Sequence, residues 1–174
     1  MNDNETMLLN EIKNRYSVRI YQEKEIEEEK INTLIEAARL APSARNYQNW
    51  KFVIIKNKER RKELSKICKG QNFVAQAPLS IVLVATNMEY TMSGGTTGAI
   101  VDVAIAGEHI ALQAVKLGLG TCWIGAFYHD QLATFLNLPK GYRIICILTV
   151  GYPAHPPKKR KLKPIEEVVV YEKF

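Results

Sequence analysis

The sequence has only three cysteines in 174 residues, and Cys68, Cys122 and Cys146 are widely spaced and odd in number. They form no CxxC pair and no zinc-type spacing, which argues against a disulfide framework and a structural zinc site. They read as buried thiols of a reducing cytoplasm. Long apolar stretches are missing as well. No run approaches the roughly 18 apolar residues of a membrane span. The N-terminal MNDNETMLLNEIKNRYSVR has no apolar core of signal-peptide length. A cytoplasmic protein with no membrane partner is therefore expected. Familiar catalytic signatures are absent too. There is no GxSxG elbow, no GxGxxG after a strand and no GxxxxGK(S/T) loop, and GEHIALQ around His109 is not HExxH. His109, His129 and His155 are scattered, so polar surface or capping roles are expected rather than metal ligation. An enzyme with neither nucleophile nor metal needs a cofactor to carry its chemistry.

What is present describes one ordinary domain, 47% hydrophobic and 24% charged. Its length suffices to bury about 70% of the surface its unfolded chain exposes. The net charge of +6 is uneven: Glu23 to Glu29 is mostly acidic, and KKRK, Lys158 to Lys161, is basic. A nucleic-acid patch is one reading of KKRK, but no recognition helix or stacking motif accompanies it, and no nucleic-acid partner is expected.

Along the chain, Met7 to Lys13 reads as a short helix. Ile31, Leu34, Ile35 and Ala38 fall at helical spacing, predicting a helix from about Glu27 to Leu40 that Pro42 ends. Strands are predicted at Lys51 to Lys56, Leu79 to Ala85, Gly120 to Ile124 and Arg143 to Val150, with strand character again at Val168 to Tyr171. Helices are predicted at Glu59 to Cys68 and His129 to Leu136. TMSGGTTG, Thr91 to Gly98, is a loop and the main candidate for a lid. The longest helix, about Ala99 to Leu117, gathers Asp102, His109, Gln113 and Lys116 on an arc about 60° wide. The rest is largely apolar, so it must be buried on several sides, by its own sheet or by a second subunit. Glu108 stands on the apolar side, where a carboxylate needs a partner.

Three clusters could carry function. RYSVR, Arg15 to Arg19, brackets a serine with two arginines, a pattern suited to phosphate. APSARNYQNWKF, Ala41 to Phe52, places Ser43, Asn46 and Gln48 where they could bond a polar heteroaromatic ring, with Trp50 in the core. GLGTCWIGAF, Gly118 to Phe127, is a glycine-punctuated strand end whose amides could approach a flat ligand.

Together these segments resemble the nitroreductase family of FMN-dependent oxidoreductases in a short form. RYSVR is similar to its R-x-S-x-R element, APSARNYQNWKF to its A-P-S-x-x-N-x-Q-P-W segment, and GEHIALQAVKLGLGTCWIGAF to its central helix and following turn. LNLPKGYRIICILTVGYP is similar to its closing strand, and the four occur in order over nearly the whole chain. The resemblance implies a single α+β domain spanning 1–174, with a central mixed sheet flanked by helices. It also implies an intertwined homodimer in which the arm 152–174 packs on the partner subunit. FMN would be held at the interface, with NAD(P)H as electron donor and a small electron-poor acceptor such as a nitroaromatic or quinone.

By the same resemblance, Arg15, Ser17 and Arg19 hold the phosphate and a flavin edge, with the Tyr16 backbone beside them. Pro42, Ser43, Ala44 and Asn46 come from the other subunit, and Gln48 supports their loop. Ile124 and Gly125 lie beside the isoalloxazine near N5. Lys159 and Arg160 form a second phosphate clamp. No side chain is assigned as catalytic. Two positions depart from the family pattern: Asn49 stands where proline is usual, and Leu162 where an arginine would be expected. A non-catalytic flavin-binding or redox-sensing dimer, and other flavin chemistries of the family, remain alternatives.

Overall fold

The computed structural model describes residues 7–157 and 160–174. Strand β2, Leu79–Ala85, is buried at all seven positions, as its unbroken apolar run requires of a strand covered on both faces. It pairs on one side with β1, Trp50–Ile55, and on the other with β4, Arg143–Gly151. β3, Gly120–Ile124, completes the sheet against β4, giving the order β1-β2-β4-β3. A bulge opposite Leu83 and Val84 leaves Ile145 unpaired, so that Cys146 and Ile144 turn to opposite faces.

Each face of the sheet has its own helical layer. Ile81, Leu83 and Leu148 pack toward α2, Glu28–Arg39, and α5, Gly98–Lys116. Val82, Val84 and Ile147 pack toward α3, Lys58–Ile67, and α6, His129–Leu136. Asn57 caps α3, its side chain accepting from the Glu59 and Arg60 amides. Gly107 lets α5 settle on the sheet: a Cβ there would meet the Trp123 ring at 2.5 Å and Leu83 at 2.7 Å. Among the described residues α5 is the one helix long and apolar enough to cross a membrane by length and composition, and here it is the central helix of the core.

The polar arc of α5 reaches water only at its C-terminal end, where Lys116 is exposed. Asp102 is buried, and His109 Nδ1 lies 3.1 Å from the Ala37 carbonyl of α2. The face left outward is apolar, with Ile100 and Val101 exposed.

Several expectations change. The sheet is antiparallel rather than mixed. Among the described residues the one parallel pairing is an isolated bridge between Ser17 and Thr121. Val168 to Tyr171 forms no strand and pairs with neither edge of the sheet; among its described residues the tail holds a 3-10 turn at Ile165–Glu167. The first helix, α1, is Asn10–Asn14, starting later than its apolar pattern suggested. A one-turn helix, α4 at Asn72–Gln76, was not foreseen.

Candidate functional site

Past the C-cap of α1 at Arg15 the chain becomes extended and lies along the edge of β3. The Val18 amide donates to the Thr121 carbonyl at 2.9 Å. Extended backbone turns successive side chains to opposite sides. Val18 is buried against Gly120, where any Cβ would collide with it, so the glycine is what lets the segment dock. Ser17 and Arg19 point outward and are exposed.

The chain end is tied to the same place. The Tyr16 hydroxyl donates to the His155 carbonyl at 2.5 Å, and burial raises the Tyr16 pKa, keeping it a donor. Arg160 Nη2 donates to the Lys13 and Ile12 carbonyls at 3.3 and 3.5 Å, the orphan acceptors at the end of α1. These ties close a cleft of about 450 Å³ lined by Ser17, Arg19, Arg160, Tyr16, His155 and Pro156 among others, with no carboxylate among the described residues of its wall. Its size is that of a small-molecule site. Two guanidiniums and a hydroxyl facing acid-free space can hold a phosphate.

Arg15 turns away from the cleft toward α5, its Nε 3.5 Å from Glu108 Oε1. That pairing accounts for the carboxylate on the apolar side of the helix. Beneath Ser17, burial raises the Cys122 thiol, with the Arg19 and Arg15 charges pulling weakly the other way. β3 ends at Ile124, which is buried, and Gly125 follows in the open, with nothing within 4 Å of where a Cβ would stand.

The loop 42–48 is built separately, at the start of α5. Asp102 Oδ1 accepts from the Ala44 amide at 3.0 Å, and Ser43 Oγ accepts from the Gln48 amide at 3.0 Å. The Gln48 side chain donates to the Asn46 carbonyl and side-chain oxygen within the loop, at 3.3 and 3.2 Å. Arg45, Asn46 and Gln48 all hold positive φ, at 52°, 57° and 52°. Such backbone costs on the order of 1 kcal/mol or more per residue and persists only where the surroundings enforce it.

Of the residues singled out in the sequence, then, Ser17, Arg19 and Arg160 share one cleft, with Ile124 and Gly125 at the end of the adjoining strand. Pro42, Ser43, Ala44, Asn46 and Gln48 do not line that cleft. Their anchor Asp102 and the Arg15 partner Glu108 stand about 9 Å apart along α5, at 1.5 Å per residue. Lys159 lies outside the described residues. Sequence reasoning missed Asp102 as the anchor of the loop, although its place on an otherwise apolar helix was a signal. It also missed the Tyr16–His155 tie, for which the sequence held no signal beyond the prolines after His155.

A family model described as the nitroreductase family matches residues 12–152. A Bacillus subtilis protein named FMN reductase (NAD(P)H) is 31% identical over 170 residues, covering 87% of this chain and 68% of its own. A solved nitroreductase family protein from Clostridium difficile superposes with a TM-score of 0.85 at 31% identity, covering 97% of this chain and all of its own. A second C. difficile structure, an FMN-dependent nitroreductase, gives 0.80 at 30% identity, over 96% of this chain. With the fold, the RYSVR edge segment and the matched region in agreement, this chain belongs to the nitroreductase family.

Proposed function

We propose that this chain is an FMN-dependent oxidoreductase that passes hydride from NAD(P)H through the flavin N5 to an electron-poor acceptor such as a nitroaromatic or quinone, donor and acceptor visiting in turn. One observation carries the reading above the others: Ser17, Arg19 and Arg160 line one cleft along the edge of β3 near Thr121, with no carboxylate among the described residues of its wall. The names of the relatives, FMN reductase and FMN-dependent nitroreductase, support it.

The residues present fit FMN. Arg19 and Arg160 offer planar donor forks to its phosphate, and Ser17 a short hydroxyl. Lys159, by sequence position, would add charge. Arg15, which here turns toward Glu108, and the Tyr16 backbone are assigned to a flavin edge by the family resemblance, Arg15 reaching it from the α5 side. The open side of Gly125 leaves room for a flat ring to approach the backbone after Ile124. The protein contributes orientation and hydrogen bonds rather than an acid or base of its own.

The loop bearing Pro42, Ser43, Ala44, Asn46 and Gln48 belongs, in this reading, to the flavin site of a second copy. The chain is one domain over 1–174 that dimerises through the outward face of α5, where Ile100 and Val101 are exposed. The arm 152–174 packs on the partner. Ile165, Val168, Val170, Tyr171 and Phe174 are exposed along it, more apolar surface than a monomer keeps. The family match ends at residue 152, where the arm begins. Three free, buried cysteines suit the reducing cytoplasm.

The test is flavin content with turnover. The purified protein should carry FMN or take it up stoichiometrically, run in solution at twice the mass of one chain, and oxidise NAD(P)H faster when a quinone is added. FMN binding with turnover no faster than free flavin would mean a passive binder instead.

A further inference from the structure

Three residues near the start of α5 have no role in the account above. Arg45 sits exposed in the loop 42–48, its guanidinium 5.2 Å from the centre of the Tyr90 ring. Tyr90 and Tyr47 meet edge to face, ring centres 5.5 Å apart and planes at 78°. Tyr90 is seated by two contacts. Its carbonyl accepts from the Gly98 amide at 2.9 Å, and its ring lies 2.7 Å from where a Gly98 Cβ would stand.

Arg45 has donors to spare. A guanidinium carries five N–H groups, and among the described residues Arg45 meets only the two tyrosine hydroxyls, Tyr47 through a long 3.4 Å contact from Nη1 and Tyr90 more weakly. No carboxylate among the described residues pairs with it. Other arginines are consumed by protein acceptors: Arg39 grips Glu36 at 2.6 and 2.7 Å, and Arg61 takes the carbonyls of Lys56, Ala75 and Ala77. Arg45 also holds positive φ, a conformation that asparagine or glycine would adopt at less cost.

We infer that Arg45, held against Tyr90 and Tyr47, is a specificity-determining residue that recognises an anionic group on the aromatic ligand entering the flavin site. The inference rests on the reading above, in which the loop 42–48 borders that site. The tyrosine rings present an aromatic wall, and the unspent guanidinium at its edge offers a fork for two oxygens. The N-terminus of α5 adds a favourable field for negative charge. The anion could be a phosphate of the dinucleotide donor or a carboxylate on the acceptor, since both present paired oxygens.

Two matched pairs separate these sources. NADH is compared with 1-benzyl-1,4-dihydronicotinamide, which lacks phosphates, and 4-nitrobenzoate with neutral 4-nitrobenzamide. Each pair is measured as kcat/KM and, for the nitro compounds, as Kd by equilibrium dialysis against flavin-loaded protein. In Arg45→Gln the anionic-to-neutral ratio should fall about tenfold for one pair, the size of one charge-assisted contact. Arg45→Lys should fall part way, and Tyr90→Leu should weaken the same ratio. A fall for the dinucleotide pair assigns the phosphates; a fall for the nitro pair assigns the carboxylate. Unchanged ratios in flavin-loaded Arg45→Gln overturn the inference and leave the FMN reading standing. A wild-type protein that takes up no flavin overturns both.

Discussion

Arg15 Nε stands 3.5 Å from Glu108 Oε1, pinning the extended segment before β3 to the middle of α5. Both side chains are partly exposed, and an ion pair of that kind contributes about 0.2–1 kcal/mol. Arg15→Ala and Glu108→Gln should therefore each lie within about 1 kcal/mol of wild type in urea. Flavin affinity should separate them. Arg15→Ala, and Ser17→Ala with it, should weaken FMN about tenfold, the scale of a lost charge-assisted bond, and Glu108→Gln much less. Equal losses at Arg15 and Glu108 would mean that the ion pair, not the arginine, is what the flavin needs.

Asp102 holds the loop 42–48 through the Ala44 amide. Asp102→Ala leaves that donor unpaired, which costs about 1–3 kcal/mol where water cannot replace it. Amide exchange of residues 43–48 should accelerate, with the sheet amides little changed. Protection of the loop equal to wild type would show that its strained backbone is kept by other contacts.

Gly107 is the point at which α5 touches Trp123 and Leu83. Gly107→Ala forces a methyl into occupied space, and overpacking of this kind costs about 1–3 kcal/mol, against the usual gain of alanine in a helix. Thermal unfolding should shift down. An upward shift would mean that the helix has slack against the sheet.

Burial pushes the Cys68 and Cys146 thiols up to about 12 from an ordinary 9.0. The folded state thus holds its thiol protons above the pH at which the unfolded chain gives them up. The stabilisation is whole below pH 9.0 and is lost as pH rises toward about 12. Unfolding midpoints should fall across that window, and less steeply in Cys146→Ala. Ellman's reagent at pH 8 should find no reactive thiol in the native protein at Cys68 or Cys146 and all cysteines after denaturation.

Where burial patterns were regular, the fold could be read from the residues alone. β2, β3 and α6 fall where apolar runs and spacing placed them, and α2, α3, α5 and β4 within a residue. The misreadings have physical causes. Val168 to Tyr171 has strand propensity but is not paired with either edge of the sheet, and propensity alone makes no strand. α4 is too short to show a period. At the site, RYSVR and the loop 42–48 were legible through residue types that bind phosphate and turn backbone. That Asp102 anchors the loop, that Arg15 meets Glu108 and that Arg45 rests on Tyr90 depend on contacts between distant segments, which spacing does not reveal.

The most direct test of the central claim is the visible absorption spectrum of the purified protein after incubation with FMN and removal of excess. A flavin band at one FMN per chain is expected, lost in parallel with the Ser17, Arg19 and Arg160 contacts when those residues are replaced by alanine. A protein that stays colourless, or whose flavin is indifferent to all three replacements, would contradict it.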